Sequence, residues 1–172
     1  MPKLSGNNIV LREFTFNDKE RLVELANNPR ISMNLRDGFP NPYTLSDAED
    51  FLRKYQKMES SQIFAIEYNN IYVGNIGLHK GIDVYRKSAE IGYFLGEPFW
   101  NKGIMTKAVN IICDYGFSKM DIVKIYAGIF EYNTASMRVL EKCGFKKEAV
   151  LEKAVFKQGK FFDEIRYAKI QM

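Results

Sequence analysis

A chain of 172 residues, 46% hydrophobic and 27% charged, is sized for one domain with its own core, and a single domain over residues 1–172 is expected. The net charge of +4 comes from scattered basic residues, which argues against a nucleic-acid partner and suits an anionic small ligand. One histidine (His79) and two distant cysteines (Cys113, Cys143) exclude a zinc constellation and a disulfide framework, and the absence of a membrane-length apolar run or a signal-peptide core points to the cytoplasm, with no membrane partner.

Ile9 to Phe14 alternates as a first strand. Asn17-Asp18-Lys19-Glu20 has the form of a capping box, predicting a helix to about Ala26 that ends before Pro29 because Asn28 is pushed out of the helical region. Residues 30–44, with Gly38, Pro40 and Pro42, read as a long loop with one helical turn. Ser46-Asp47-Ala48-Glu49 is a second capping box, predicting a helix to about Met58. Gln62–Tyr68 and Tyr72–Lys80 pair across Asn69-Asn70, and a strand over Lys87–Leu95 follows. Met105, Ala108, Val109, Ile112, Tyr115 and Gly116 share one face of a helix over 105–119, ahead of a strand from Val123 to Phe130. Asn133 caps a short helix that Gly144 terminates, and strands over 146–156 and 160–170 meet at Gln158-Gly159. The result is α/β in character: one mixed sheet of about seven strands with four helices, in which strands 87–95 and 123–130 are parallel.

Two stretches carry the chemistry. In Trp100-Asn101-Lys102-Gly103-Ile104-Met105-Thr106 a strand gives way to a helix start, with a bare glycine and a lysine where the helix N–H groups lack partners. Such a corner suits a diphosphate. The second stretch is Asn133-Thr134-Ala135-Ser136, followed by Arg138, Leu140 and Cys143-Gly144-Phe145. Together with Glu90-Ile91-Gly92-Tyr93 on the preceding strand and the proline-rich Phe39–Thr44, these stretches resemble the Gcn5-related N-acetyltransferase superfamily (GNAT). The branch they resemble is that of the ribosomal-protein-alanine N-acetyltransferases, and the resemblance covers about residues 9–170.

The resemblance implies central parallel strands that splay, with pantetheine of acetyl-CoA lying in the gap as an added strand. It implies no metal. Cosubstrate binding is expected at Phe94, Leu95, Asn101, Lys102, Gly103, Ile104, Met105, Thr106, Asn133 and Arg138. A backbone N–H at Phe94 or Leu95 is expected to polarise the thioester carbonyl. Catalysis is assigned to Glu90 as base for the amine, with Glu97 and His79 as alternatives, and to Ser136 as hydrogen-bond donor to the leaving sulfur. Three positions depart from the family pattern: Trp100 replaces Gln or Arg, Met105 replaces Gly or Ala, and Leu140 stands where many relatives have a tyrosine acid.

The implied reaction is direct attack of a primary amine on acetyl-CoA, the acceptor being a protein or peptide N-terminus. A small amine (polyamine, amino sugar or amino acid) and a non-catalytic acyl-CoA-binding domain are the alternatives. Arg36, Asp37 and the hairpin 156–161 are expected to line the acceptor pocket, and the protein is expected as monomer or homodimer.

Overall fold

Alternation of apolar and polar residues drives one sheet with a core on each face. In the computed structural model, which describes residues 3–6, 8–55 and 61–171, eight strands make that sheet. They are β1 (Leu4–Gly6), β2 (Ile9–Arg12), β3 (Ser61–Tyr68), β4 (Ile71–Lys80), β5 (Ser88–Leu95), β6 (Lys124–Phe130), β7 (Lys146–Lys157) and β8 (Lys160–Ile170), in the order β1-β2-β3-β4-β5-β6-β8-β7. The helices are α1 (Lys19–Ala26), α2 (Pro29–Ser32), α3 (Leu45–Tyr55), α4 (Ile104–Lys119) and α5 (Thr134–Lys142). The expected mixed α/β sheet is present, with one strand and one helix more than the sequence predicts. The extra strand is the three-residue β1, too short to show a period. The extra helix is the turn at the start of loop 30–44, where Pro29 at the first position and the Asn28 side chain, accepting Arg30 N–H at 2.9 Å, close four residues into α2.

On one face, α4 packs Ala108, Val109, Ile112 and Cys113 against Ile76, Leu78, Ile91, Ile125 and Ala127. On the other, α1, α3 and the 30–44 loop bury Leu22, Leu25, Tyr43, Leu52 and Phe94. Cys113 and Cys143 are both free and buried. Among the described residues, no helix is long and apolar enough to cross a membrane.

Several boundaries differ from the sequence expectation for local reasons. β2 stops at Arg12, the last residue paired with β3, and the Arg12 guanidinium reaches the Asp18 carboxylate (2.8 Å) and Glu67 (2.6 Å). Asp18 also accepts Thr15 N–H at 2.7 Å, so the turn leading into α1 is capped from Thr15 and not Asn17. The box before α3 likewise lies two residues upstream: Thr44 N–H donates to Asp47 Oδ2 (2.8 Å) and Asp47 N–H to Thr44 Oγ1 (3.3 Å). The expected helix end at Met58 falls outside the described residues.

Candidate active site

β5 is paired along its whole length with β4 but only at its start with β6. The antiparallel register runs from Lys80↔Ala89 to Gly74↔Leu95, whereas the parallel ladder holds Ser88↔Lys124, Ala89↔Ile125 and Glu90↔Tyr126. Beyond Glu90 the two strands part. At the ends of the β4–β5 ladder, Gly81 N–H donates to Ser88 C=O (2.8 Å) and Gly96 N–H to Val73 C=O (2.9 Å). Backbone direction alternates along a strand, so the even-numbered residues of β5 face β4 and the odd-numbered ones face β6. Ile91, Tyr93 and Leu95 therefore turn their backbone groups into the gap.

On β6 the same logic applies. Gln171 N–H donates to Val123 C=O (2.9 Å) and Glu131 N–H to Asp163 C=O (3.0 Å), so odd positions serve β8 while Gly128 and Phe130 face the gap. The Leu95 carbonyl accepts from the Trp100 indole (2.7 Å) and the Phe130 carbonyl from Asn133 N–H (2.8 Å). Of the two expected oxyanion donors, the geometry leaves only Leu95. The Phe94 N–H is turned toward β4, and its side chain is buried against Phe39 (centroids 5.6 Å apart).

At the end of β5 the chain turns through Gly96 and a 3-10 turn at Glu97–Phe99, then through Asn101 (φ 61°) and Gly103 (φ 70°), both left-handed, into α4. Lys107 N–H reaches Gly103 C=O at 3.2 Å, so the N–H groups of Ile104, Met105 and Thr106 precede the first helical bond. A Cβ at Gly103 would meet nothing within 4 Å, which leaves the backbone open to an approaching ligand. Asn101, Lys102 and Gly103 are exposed, and Lys102 Nζ sits 5.5 Å from the Phe99 ring centroid. Met105 is buried in the core, so its bulk is directed away from the loop. An open backbone, a helix N-terminus and a lysine fit an anionic group.

α5 closes the gap from the α4 side. The Asn133 side chain accepts Ser136 N–H at 3.2 Å, and the helix ends with Phe145 N–H on Leu140 C=O and Gly144 N–H on Glu141 C=O, Gly144 at φ 81°. Ser136 is buried, and its hydroxyl lies 2.7 Å from that of Tyr93. Leu140 is completely buried and Arg138 is exposed. Burial pushes the Cys143 thiol up to about 11, so it stays protonated; its Sγ donates to Thr106 C=O at 3.3 Å.

The opposite face of the sheet carries the charges. Glu90, on the last paired rung, lies between His79 of β4 and Tyr126 of β6 and bonds Arg36 from the 30–44 loop. Burial lowers the His79 pKa, against the pull of Glu90, and His79 Nδ1 is 2.8 Å from Ser61 Oγ. Glu97 instead pairs with Arg30 and accepts Asn28 Nδ2 (2.7 Å) at the corner. Glu164 of β8 lays its carboxylate over Gly128, within 2.8 Å of where a Cβ would stand, and takes Arg166 at 2.6 Å. A cleft of ≈ 230 Å³ opens there, lined by Arg36, Asp37, Phe130, Phe156, Lys157 and Glu164 among others. Lys157 pins the loop above it by bonding Leu35 C=O (2.8 Å) and Asp37 (2.7 Å).

The family described as "Acetyltransferase (GNAT) domain" matches residues 8–146. The chain is also 33% identical over 171 residues to the probable N-acetyltransferase YjcK of Bacillus subtilis, covering 93% of this chain and 92% of that protein. This chain belongs to the GNAT acetyltransferases. Among solved structures, a GNAT-family acetyltransferase from Bacillus anthracis superposes with a TM-score of 0.88 at 26% identity, covering 98% of both chains. RimL, a ribosomal L7/L12 alpha-N-protein acetyltransferase solved in complex with coenzyme A, gives 0.87 at 21% identity, also over 98% of both chains, a likeness of fold.

For this GNAT enzyme the sequence alone names both strands that flank the gap and both motifs, and its candidate residues leave out Glu164, Arg166, Tyr126 and Tyr93. Glu164 and Arg166 have a local signal, since they lie on one face of a period-two strand. That this face overhangs Gly128 depends on the β6–β8 register, between strands distant in the chain. Tyr93 is part of the Glu-Ile-Gly-Tyr signature, but its partner Ser136 lies 43 residues away.

Proposed function

We propose that this enzyme transfers acetyl from acetyl-CoA to a primary amine, with a protein or peptide N-terminus as acceptor. The observation that carries the reading is the parallel ladder that stops at Glu90↔Tyr126. It leaves the backbone of Ile91 and Tyr93 and the N–H of Leu95 open to an extended ligand, with the Gly103 loop at one end of the gap and a carboxylate at the other. In this reading Asn101, Lys102, Gly103 and the N–H groups of Ile104, Met105 and Thr106 hold the diphosphate, with Arg138 reaching a nucleotide phosphate. Asn133 holds a pantetheine amide, and Leu95 N–H polarises the thioester carbonyl. Glu90 takes the amine proton, directly or through water, and Ser136 donates to the departing sulfur.

The charges around the acceptor cleft favour the N-terminal reading over a polyamine. Glu90 faces Arg36, Glu164 faces Arg166 and Asp37 faces Lys157, so the wall is balanced, whereas a polycation calls for a net acidic one. Acetyl transfer measured by thiol release across a panel of N-terminal peptides, spermidine, an amino sugar and free amino acids tests the proposal. Peptides are expected to lead in kcat/KM. A lead for spermidine would overturn the acceptor assignment, and CoA binding without turnover on any amine would overturn the enzyme mechanism.

A further inference from the structure

The tyrosine that supplies a proton to the leaving thiolate in many GNAT enzymes has no counterpart at Leu140, which is completely buried among apolar residues. One helical turn earlier, the Ser136 hydroxyl is buried at the start of α5, its backbone N–H held by the Asn133 side chain. A serine hydroxyl has one proton and rotates freely, so it serves as a directed donor only when its oxygen is engaged from the other side. Here that engagement comes from β5: the Tyr93 hydroxyl lies 2.7 Å from Ser136 Oγ.

The Tyr93 backbone faces the gap while its side chain passes to the α4–α5 side and packs against the apolar core. We infer that Tyr93 is a positioning residue for Ser136: its O–H donates to Ser136 Oγ, and this hydrogen bond turns the single serine proton toward the gap where the thioester sulfur departs. Burial raises the Tyr93 pKa, so the phenol keeps its O–H available to Ser136 Oγ.

The inference rests on the acetyl-transfer reading above. In that reaction the amine nitrogen bonds the carbonyl carbon, the carbon–sulfur bond breaks with its electron pair going to sulfur, and the nitrogen proton passes to the base. The sulfur leaves as a thiolate hydrogen-bonded by Ser136 and takes a proton from solvent on release, while Glu90 returns to solvent the proton it took from the amine. No group on the protein is consumed. What Tyr93 contributes is orientation, gained before the reaction and not during it.

The test compares Tyr93→Phe, Ser136→Ala and the double variant with acetyl-CoA and the best amine of the panel. Ser136→Ala is expected to lower kcat by about a hundred-fold and Tyr93→Phe by about ten-fold. KM for acetyl-CoA should stay within about two-fold in both, and the double variant should be no slower than Ser136→Ala, because the two hydroxyls act as one unit. Ser136→Thr, which keeps a hydroxyl, should recover most of the rate. With p-nitrophenyl acetate as donor the leaving anion is already stable, so any Tyr93→Phe defect should disappear. A merely structural Tyr93 would instead give a defect that persists with the activated donor and adds to that of Ser136→Ala, and that outcome overturns the inference. Wild-type turnover with an unaffected Tyr93→Phe overturns the inference alone. Absence of wild-type turnover removes the acetyl-transfer reading and this inference with it.

Discussion

Gly103→Ala separates the fold from the function of the α4 N-terminus. In the free protein the new methyl meets no atom within 4 Å, so no packing term enters. The cost comes from φ at 70°, where an L-residue loses about 1–2 kcal/mol, partly offset by about 0.4–1 kcal/mol from the stiffer unfolded chain. A net loss of about 1 kcal/mol lowers Tm by about 2–4 °C for a chain of this size. CoA binding should suffer more. A phosphate held against a bare backbone is pushed off contact by a Cβ, and losing one charge-assisted hydrogen bond of about 1.5–3 kcal/mol raises Kd about ten- to hundred-fold. Thermal melting of the ligand-free protein measures the first quantity and calorimetric titration the second. A pantetheine thioester, which lacks the diphosphate, should bind both proteins equally. Equal CoA affinity in the variant, or an equal loss for CoA and the pantetheine compound, would refute the assignment of Gly103 to the diphosphate.

Two further outcomes follow from the site and its support. Glu90→Gln should lower kcat by about a hundred-fold while the Kd for CoA stays within about two-fold, and unchanged turnover across pH would move the base elsewhere. Asp18→Asn should cost about 2 kcal/mol, or about 4–8 °C in Tm, because Arg12 loses a buried carboxylate and keeps Glu67 as its charged partner. Burial opposes the Asp18 charge, but hydrogen bonds from Arg12 and Thr15 hold its carboxyl below the usual range. Its contribution is therefore present above the unfolded value of about 4 and lost as pH falls through the lower folded value. The variant should show a shallower acid limb in stability against pH, and a limb unchanged in steepness would contradict that role.

What is legible in the sequence is local. Asn69-Asn70 (φ 51° and 63°) and Gln158-Gly159 (φ 50° and 77°) turn their hairpins as their side chains require, and Asn133 and Gly144 bound α5 where capping chemistry puts them. The two other capping boxes sit two residues upstream of their expected places because Thr15 competes with Asn17, and Thr44 with Ser46, as equally competent caps. Near α1 the choice is made by Arg12, which holds the Asp18 carboxylate where Thr15 N–H can reach it. The site is half legible. Its motifs announce a helix start and a capped turn, but the length of the β5–β6 ladder, the Tyr93–Ser136 bond and the carboxylate over Gly128 depend on registers that no local stretch encodes.

The central claim is that the gap beyond Glu90 and the loop at Gly103 form one acetyl-CoA site. Calorimetric titration of the wild-type protein with CoA tests it most directly. Saturable one-to-one binding in the micromolar range is the predicted result, and no heat of binding up to high micromolar CoA would contradict it.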